Sequence, residues 1–202
     1  MKIICIGRNY VAHAAEMKSE VPSEPVFFMK PETAIHKDEK WYYPDFSKEI
    51  HHEVEIIVKI SKTGKHIAPE FAGKYYNEIG LGIDFTARDL QHLCKSKGLP
   101  WEIAKAFDCS AVVSNKFIPK SDLDLTNVDF RLNINRNTTQ VGNTRNMLFS
   151  IDELIAYLSK FITLKTGDLI FTGTPEGVGP VTQGDLLTGN IGNVEMFSIE
   201  IC

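Results

Sequence analysis

The segment His51-His52-Glu53-Val54-Glu55-Ile56-Ile57-Val58-Lys59-Ile60 decides what kind of fold this chain adopts. Side chains alternate between the two faces of a β-strand, so the four aliphatic residues at even positions from Val54 to Ile60 share one face and point into a core. Glu53 and Glu55 then share the opposite face, two residues apart. The sequence therefore predicts a strand with one apolar face and a pair of neighbouring carboxylates on the other.

Two carboxylates held this close repel each other unless a positive charge compensates them. A divalent cation such as Mg²⁺, Mn²⁺ or Ca²⁺ supplies that charge and prefers hard oxygen ligands. The alternative is an ordinary strand whose polar face points to solvent, which is frequent in antiparallel sheets. On this segment alone both interpretations stay open.

The rest of the chain is punctuated by short β-like runs separated by Gly, Pro, Asn and Asp. Helical patterns are few, and the clearest one begins with the capping box Ser150-Ile151-Asp152-Glu153. A second helix is predicted from Thr86 to Lys97, ended by Gly98, and a short third one from Val11 to Met17. The β-like runs are Lys2–Ile6, Val26–Lys30, Val54–Ile60, Gly80–Phe85, Phe130–Asn135, Asp168–Thr172 and Val194–Ile201.

These strands do not alternate regularly with helices, which argues against a doubly wound parallel sheet. We therefore expect an α+β fold that is mainly β, with a few covering helices. A length of 202 residues suits one domain, so residues 1–202 are predicted to form a single domain.

Composition excludes several classes of partner. The formal net charge is −4 and no basic block occurs, so nucleic acid is not an expected partner. No apolar run approaches the length that crosses a bilayer, and the N-terminal apolar stretch is too short for a signal peptide. The four cysteines are scattered without a CxxC pair, which indicates free thiols in a reducing compartment and a cytoplasmic protein.

A third carboxylate strengthens the metal interpretation. Asp84 follows the apolar run Ile79-Gly80-Leu81-Gly82-Ile83 and precedes the predicted helix, so it lies at a strand end where it can join the two glutamates. Its alternative role is a helix-capping or turn residue. Three monodentate carboxylates leave three octahedral positions open, and a 2-oxo acid can fill two of them with one carboxylate oxygen and its keto oxygen.

Several polar residues are further candidates for the site. His13 and Glu16 are neighbours on a helix, and a carboxylate that orients an imidazole suits a general base; the alternative is a surface pair. Arg88 and Gln91 share a helix face, and Arg88 can bind a substrate carboxylate. Lys105 lies in an apolar stretch with two aromatics, where it is either partly buried or extended to the surface.

The Gly/Pro-rich segment Gly173-Thr174-Pro175-Glu176-Gly177-Val178-Gly179-Pro180 contains neither a P-loop nor a dinucleotide-binding pattern, so nucleotide binding is rejected. Its glycines either bring backbone close to a ligand or form a tight turn.

Taken together, these residues resemble the fumarylacetoacetate hydrolase family, and most of all its small branch of acylpyruvases, fumarylpyruvate hydrolases and oxaloacetate decarboxylases. The matching segments span nearly the whole chain in order, and only the stretch from Ser121 to Asn146 matches less clearly. They are GRNYVAHAAEM, PVFFMKPETA, HHEVEIIVKI, GIDFTARDLQ, KGLPWEIAKAFD, SIDELIAYLSKFITLKTGDLIFTGTPEGVGP and GNVEMFSIEI.

The resemblance implies a mixed β-roll, a homodimer, and one Mg²⁺ or Mn²⁺ per subunit. The extra N-terminal domain of larger relatives is not expected, because the first strand starts at Lys2. By the family's pattern, His13 and Glu16 form a dyad on a lid that closes over the substrate. The remaining residues fall into two groups: Glu53, Glu55 and Asp84 as metal ligands, and Arg88, Gln91, Lys105 and Thr174 as polar site residues.

The expected reaction is metal-dependent hydrolysis of a C–C bond in an acylpyruvate such as acetylpyruvate or fumarylpyruvate. In that reaction His13, oriented by Glu16, activates water, and Lys105 stabilises negative charge on the attacked carbonyl oxygen. Decarboxylation of oxaloacetate and isomerisation of a 2-oxo dienoic acid are alternatives, because both use similar enolate chemistry. A non-catalytic metal-binding protein is disfavoured, since a binder needs no base.

Overall fold

β-strands carry most of the regular structure in the computed structural model, which describes residues 1–17 and 20–202. The strands are β1 (Ile3–Gly7), β2 (Val26–Lys30), β3 (Ile35–His36), β4 (Lys40–Trp41), β5 (Ile50–His52), β6 (Val54–Ile60), β7 (Tyr76–Asp84), β8 (Thr86–Ala87), β9 (Ala111–Val113), β10 (Ile118–Pro119), β11 (Asp129–Ile134), β12 (Asn137–Asn143), β13 (Leu169–Phe171), β14 (Gly179–Pro180), β15 (Leu186–Ile191) and β16 (Val194–Ile201). The α-helices are α1 (Val11–Glu16), α2 (Pro69–Ala72), α3 (Arg88–Lys97), α4 (Glu102–Lys105) and α5 (Ile151–Phe161), and short 3₁₀ turns occur at Glu32–Ala34, Lys120–Asp122 and Thr144–Asn146.

The strands form three sheets. The largest has the order β2-β1-β13-β6-β7-β9-β3, with β10 added along β7, and it is mixed because the β1–β13 and β3–β9 pairs are parallel. The second sheet has the order β12-β11-β15-β16-β4, and the third has the order β14-β5-β8. This architecture confirms the expectation of a mainly β fold with a few covering helices.

Strand β6 is buried on both faces, which the alternation of its side chains explains. Ile56 and Val58 belong to the larger hydrophobic core. Ile57 faces the other way, into a smaller apolar cluster that includes Cys5 and Phe171. A carboxylate on that second face is therefore surrounded by protein and not by solvent.

The predicted helices are present, with two boundaries that differ: α1 ends at Glu16, one residue before the predicted Met17, and α3 starts later than predicted. Helix α5 has the predicted capping box: the Ser150 Oγ accepts from the Glu153 N–H at 3.4 Å, and the Ser150 N–H donates to the Glu153 carboxylate at 2.8 Å. Helix α3 ends as predicted before Gly98, whose φ is 64°. Its predicted start at Thr86 is wrong, because Thr86–Ala87 pairs as a strand with β5 and the helix begins at Arg88.

No helix within the described residues is long and apolar enough to cross a membrane. All four cysteines are free thiols in the structure, as their scattered positions predicted.

The packing around Gly82, two residues before the end of β7, makes a stability prediction. A Cβ added at this position would lie 2.1 Å from the Val112 carbonyl oxygen and 2.6 Å from the Ile57 Cδ1. Because a backbone atom must move, we expect Gly82→Ala to lower the free energy of unfolding by roughly 2–3 kcal/mol or more, measured by urea denaturation.

Gly73→Ala is the matched control for this substitution. Gly73 follows α2 with φ −58° and ψ −13°, and its added Cβ would meet only the Asp152 carboxylate at 3.6 Å or beyond. An alanine fits that backbone and restricts the unfolded chain, so its effect on unfolding should be neutral or slightly stabilising. Equal stability of the two variants would contradict the packing argument.

Candidate metal centre

Three buried carboxylates converge where β5, β6 and β7 meet. Glu55 is the second residue of β6 and Asp84 is the last residue of β7. The Asp84 N–H donates to the Glu53 carbonyl at 2.8 Å, which fixes the two segments side by side. One carboxylate oxygen from each of Glu53, Glu55 and Asp84 lies within 4.8 Å of the others. The structure thus brings together the three residues that the sequence analysis grouped.

The backbone position of Glu53 differs from the prediction, although its side chain lies in the predicted site. Glu53 does not continue the strand of Glu55 but occupies the break between β5 and β6. The chain changes sheets there, because β5 pairs with β8 and β14 whereas β6 pairs with β7 and β13. The prediction of one continuous strand face is therefore wrong, although both side chains point into the same site.

Two buried ammonium groups hold the carboxylates in place. Lys105 Nζ donates to Glu53 Oε2 and to Asp84 Oδ2, each at 2.8 Å. Lys30 Nζ lies 2.7 Å from Asp84 Oδ1 and donates to Ser110 Oγ at 2.9 Å. Sequence reasoning missed Lys30, whose only signal is that it is the single charged residue ending the apolar run of β2.

The three ionisable groups at the centre are perturbed in different directions. Burial opposes ionisation of Glu53, but Lys105 and Arg88 hold the pKa of its carboxyl below the ordinary value. Burial and the charges of Asp84 and Glu53 raise the pKa of Glu55 well above its ordinary value. Burial would lower the pKa of Lys105, yet Asp84 and Glu53 raise it, so this side chain stays an ammonium ion.

The donor set fits a hard divalent cation. Within the described part of the chain Glu55 has no ion-pair partner, and the contact to its carboxylate is a hydrogen bond of 2.7 Å from the Gly173 N–H to Oε2. The lysines compensate Glu53 and Asp84 but leave this third carboxylate destabilised in its ionised form. A divalent cation bound by the three carboxylates would supply the missing positive charge, and all-oxygen ligands are those that Mg²⁺ and Mn²⁺ prefer.

The glycine-rich loop after β13 binds two carboxylates through its backbone. Gly173 has φ 101°, and an added Cβ there would lie 2.7 Å from the Asn9 Cβ. Its N–H reaches Glu55, while the Gly177 N–H donates to the two carboxylate oxygens of Glu16 at 3.1 and 3.3 Å. The backbone of this loop therefore approaches carboxylates of the chain itself, and its close approach to a ligand stays a prediction.

The predicted dyad is formed on α1. His13 Nδ1 lies 3.3 Å from Glu16 Oε2. His13 is 7% exposed and lines the pocket above the carboxylates, whereas Glu16 is largely at the surface. The arrangement leaves Nε2 as the ring nitrogen that can exchange a proton with a bound molecule.

Arg88 uses three of its five N–H donors on contacts within the protein. Its Nη2 donates to Glu53 Oε1 at 2.8 Å and its Nη1 to Gln91 Oε1 at 2.6 Å, and its Nε donates to His51 Nδ1 at 3.3 Å. Because the Gln91 oxygen is occupied, its amide N–H₂ is the group available to a ligand. Arg88 thus holds Glu53 and Gln91 in place, and the predicted binding of a substrate carboxylate by its remaining N–H groups stays a prediction.

Gln140 connects the loop to the strand that carries the carboxylates, and sequence reasoning missed it. Its Oε1 accepts from the Val54 N–H at 3.0 Å and lies 2.8 Å from His52 Nδ1. Its Nε2 donates to Thr174 Oγ1 at 2.9 Å. Because Thr174 accepts this bond, its hydroxyl proton remains available for a ligand. Gln140 lies in the stretch from Ser121 to Asn146, where the family resemblance is less clear and no site residue was predicted.

One pocket collects the predicted site residues. Eight of the nine residues line it directly. The ninth, Glu16, does not line the pocket but contacts His13, which does. Val26, Phe28 and Trp101 form an apolar wall, and Arg8 and Lys95 add two more cations. The pocket thus has a buried end of carboxylates and Lys105, and His13 of α1 lines it as well; the predicted closure of this segment as a lid stays a prediction.

Residues 2–199 match the sequence profile of the C-terminal domain of fumarylacetoacetate (FAA) hydrolase. The chain belongs to the fumarylacetoacetate hydrolase family. It is 43% identical over 201 residues to the mitochondrial oxaloacetate tautomerase of Bos taurus, which covers 98% of this chain and 90% of the relative. It is 42% identical over 189 residues to the mitochondrial oxaloacetate decarboxylase of Dictyostelium discoideum, which covers 92% of this chain and 86% of the relative.

A solved structure is similar over the whole length. Fumarylpyruvate hydrolase from Pseudomonas aeruginosa, in complex with Mn²⁺ and pyruvate, matches with a TM-score of 0.94 and 36% identity, covering 100% of this chain and 89% of that one. The fold expected from the family resemblance is thereby confirmed. Because relatives include mitochondrial proteins, the expectation of a cytoplasmic protein stays a prediction.

The arrangement of the carboxylates predicts that a divalent cation stabilises the folded protein. Saturating Mg²⁺ or Mn²⁺, at about 100 times the dissociation constant, adds about 2.7 kcal/mol to the free energy of unfolding. In a chain of this size that corresponds to a rise of roughly 5–10 °C in Tm, measured by thermal unfolding with and without metal. Glu55→Gln should abolish most of this rise, because it removes a ligand without removing volume.

Glu78→Gln is the matched control. Glu78 lies on β7, the strand that ends at Asp84, but it forms a surface pair with Lys59 at 2.8 Å. This variant should keep the full metal-dependent rise in Tm. A wild-type protein whose Tm is indifferent to both metals would contradict the metal assignment.

Proposed function

We propose that this chain is a Mg²⁺- or Mn²⁺-dependent enzyme that interconverts the enol and keto forms of oxaloacetate. The observation that carries the proposal is the triad of buried carboxylates, with Lys105 between two of them, in a pocket that also holds an imidazole. That site occurs in a chain 43% identical to an oxaloacetate tautomerase along almost its whole length. The bound cation would hold the substrate's carboxylate and 2-oxygen and stabilise negative charge on that oxygen.

The chain's own polar groups can orient such a substrate. The Thr174 hydroxyl and the Gln91 amide each have a donor left after their internal hydrogen bonds. Lys105 uses two of its three N–H groups on Glu53 and Asp84, so its third can donate to a substrate oxygen. These groups are assigned to binding, and Arg88 is assigned to positioning Glu53.

His13 is assigned the proton transfer. Conversion of the enol to the keto form removes a proton from the enol hydroxyl and adds one to C3. Lys105 stays an ammonium ion because of Asp84 and Glu53, which makes it a donor to the oxygen and a poor base. The imidazole of His13 is oriented by Glu16 at 3.3 Å, and an imidazole can take a proton at one ring nitrogen and give it back.

A substrate panel tests the proposal. With Mg²⁺ or Mn²⁺ present, the protein should accelerate the decay of enol-oxaloacetate absorbance over the same buffer with metal alone, and Glu55→Gln should lose most of this acceleration. Pyruvate release from oxaloacetate and hydrolysis of acetylpyruvate and fumarylpyruvate are measured in parallel. An enol decay equal to that of the metal-containing buffer would reject the tautomerase function.

Hydrolysis of an acylpyruvate is the second candidate, and the dyad is the observation that favours it. A histidine oriented by a carboxylate and placed over the pocket suits activation of water for attack on the 4-carbonyl. The similarity to a fumarylpyruvate hydrolase supports the same reaction. Oxaloacetate decarboxylation is supported by the relative from Dictyostelium discoideum and needs no attacking water.

Substitution of His13 distinguishes tautomerisation and hydrolysis from decarboxylation. His13→Ala should reduce both tautomerisation and acylpyruvate hydrolysis by roughly 10²–10⁴-fold, the usual contribution of general acid–base catalysis. Decarboxylation should survive the substitution better, because it breaks the bond without a water nucleophile. The measurement is kcat/KM for each substrate at saturating metal.

His92→Ala is the control for this experiment. His92 lies on α3, is exposed, and does not line the pocket, so all three activities should stay at the wild-type level. Metal affinity should be unchanged in His13→Ala, because His13 is not assigned as a ligand. Wild-type tautomerisation and hydrolysis in His13→Ala would remove the proton-transfer assignment.

The resemblance adds three further proposals about the whole molecule. The active form is a homodimer with one metal per subunit, residues 1–202 act as one catalytic domain, and the protein works in the cytoplasm. Light scattering at micromolar concentration measures the first of these directly.

A further inference from the structure

The pocket contains two cations that the carboxylate centre does not use. Arg88 and Lys105 also line the pocket, but both are paired with Glu53. Arg8 and Lys95 line it as well. Neither has a carboxylate within ion-pair distance among residues 1–17 and 20–202. Two unpaired cations at the mouth of an active-site pocket are free to bind an anion.

The backbone of Arg8 is held in an unfavourable conformation that aims its side chain. Its φ is 60°, a region that Gly, Asn and Asp tolerate much better than arginine. Asn9 fixes this turn, because its Oδ1 accepts from the Phe149 N–H at 2.8 Å and its Nδ2 donates to the Thr172 carbonyl at 2.8 Å. A strained residue that the surroundings enforce at a pocket wall is the pattern expected of a functional side chain.

Lys95 lies on the same face of α3 as Arg88 and Gln91. It follows Arg88 by seven residues and Gln91 by four, the spacings that stack side chains on one face of a helix. Its Nζ lies 5.5 Å from the centre of the Trp101 ring, which also lines the pocket. Burial and the charge of Arg88 lower the pKa of Lys95, with Arg8 acting in the same direction and Glu53 against it, so positive charge dominates around this group.

We propose that Arg8 and Lys95 form a subsite for the second carboxylate of the substrate, so that the pocket selects 2-oxo dicarboxylic acids over 2-oxo monocarboxylic acids. This inference rests on the proposed function, because it takes the first carboxylate and the 2-oxygen to lie at the triad. Arg8 lies three residues before α1, and Lys95 lies one helical turn beyond Gln91 on α3. Both line the pocket, and neither is within ion-pair distance of the three carboxylates in the described part of the chain. A dianionic substrate would thus span a pocket whose two ends each offer positive charge.

The subsite would explain how one site tells its substrates apart. Oxaloacetate and fumarylpyruvate both carry a carboxylate at the end remote from the 2-oxo group, whereas acetylpyruvate ends in a methyl group. Arginine binds a carboxylate through two parallel N–H donors, while a partly exposed lysine contributes charge at the rim. Arg8 should therefore contribute more to the selection than Lys95.

The experiment compares oxaloacetate with its 4-methyl ester, which differs only in the neutralised remote carboxylate. The wild-type enzyme should prefer the diacid in kcat/KM for tautomerisation. In Arg8→Asn combined with Lys95→Met, the ratio of diacid to ester kcat/KM should fall roughly 10- to 100-fold, as expected for loss of hydrogen bonds to a charged group. Asparagine tolerates the left-handed backbone, so this variant is not expected to misfold, and Arg8→Lys should restore part of the preference.

Lys97→Met is the matched control. Lys97 is two residues from Lys95 at the end of the same helix but does not line the pocket, so this variant should keep the wild-type preference. An unchanged ratio in the double variant, with folding verified by Tm, would overturn the inference.

A binding measurement keeps the two proposals distinguishable. Calorimetry on the metal-loaded protein compares 2-oxoglutarate, whose second carboxylate is remote from the 2-oxo group, with 2-oxobutyrate, which lacks that carboxylate. The double variant should weaken binding of 2-oxoglutarate roughly 10-fold or more relative to 2-oxobutyrate. If neither oxaloacetate nor its ester is turned over, the proposed function fails while this measurement still decides the subsite. Equal relative affinities in the wild type and the double variant would reject the subsite whatever the turnover.

Discussion

Repulsion among three buried carboxylates is the constraint on which the rest of the structure depends. Glu53, Glu55 and Asp84 are each nearly inaccessible to solvent, and ionised groups in such surroundings are costly unless they are paired. Lys105 and Lys30 compensate part of this negative charge. They come from α4 and from β2, the edge strand that β1 and β13 separate from β6, so long-range packing positions the cations that the carboxylates need.

A second constraint is the backbone of the loop that starts at Gly173. This loop gives one N–H to Glu55 in the buried centre and another to Glu16 in the dyad. Its first residue also packs against Asn9, which anchors the turn before the lid helix α1. The centre and the dyad therefore share a support, and a change in the loop alters both ends of the pocket. Side chains at Gly173 and Gly177 would collide with Asn9 and with the Thr139 backbone, which explains why glycines occur at these two positions.

The sequence predicted those parts of the fold that local patterns determine. The exact span of β6 followed from alternation, and the start of α5 followed from its capping box, since both signals lie within a few residues. The break at Glu53 and the late start of α3 were missed, because both depend on the pairing of β5 with β8, which no local pattern reveals. Lys30 and Gln140 were missed for the same reason: their partners are 54 and 86 or more residues away in the chain, at Asp84 and at Val54 and His52. The grouping of nine residues into one site came from the family resemblance, whose segments contain all of them.

The two ends of the pocket differ in how firmly they are built, and this difference bears on how the family diversifies. At the buried end each carboxylate is fixed by hydrogen bonds of 2.7–2.8 Å to lysine, arginine or backbone groups. At the lid end Glu16 is 34% exposed and its contacts to His13 and Gly177 measure 3.1–3.3 Å. In the reactions proposed for this chain, the step they share, charge developing on the 2-oxygen, would take place at the rigid end. What differs between those reactions, namely water, proton transfer and the remote substituent, would fall to the looser end. In the described part of the chain, His13, Arg8 and Lys95 make no hydrogen bond or ion pair to the three buried carboxylates. Substitutions at these side chains should therefore disturb the metal centre less than a change in the shared loop at Gly173, and they are where relatives with one fold can acquire different reactions.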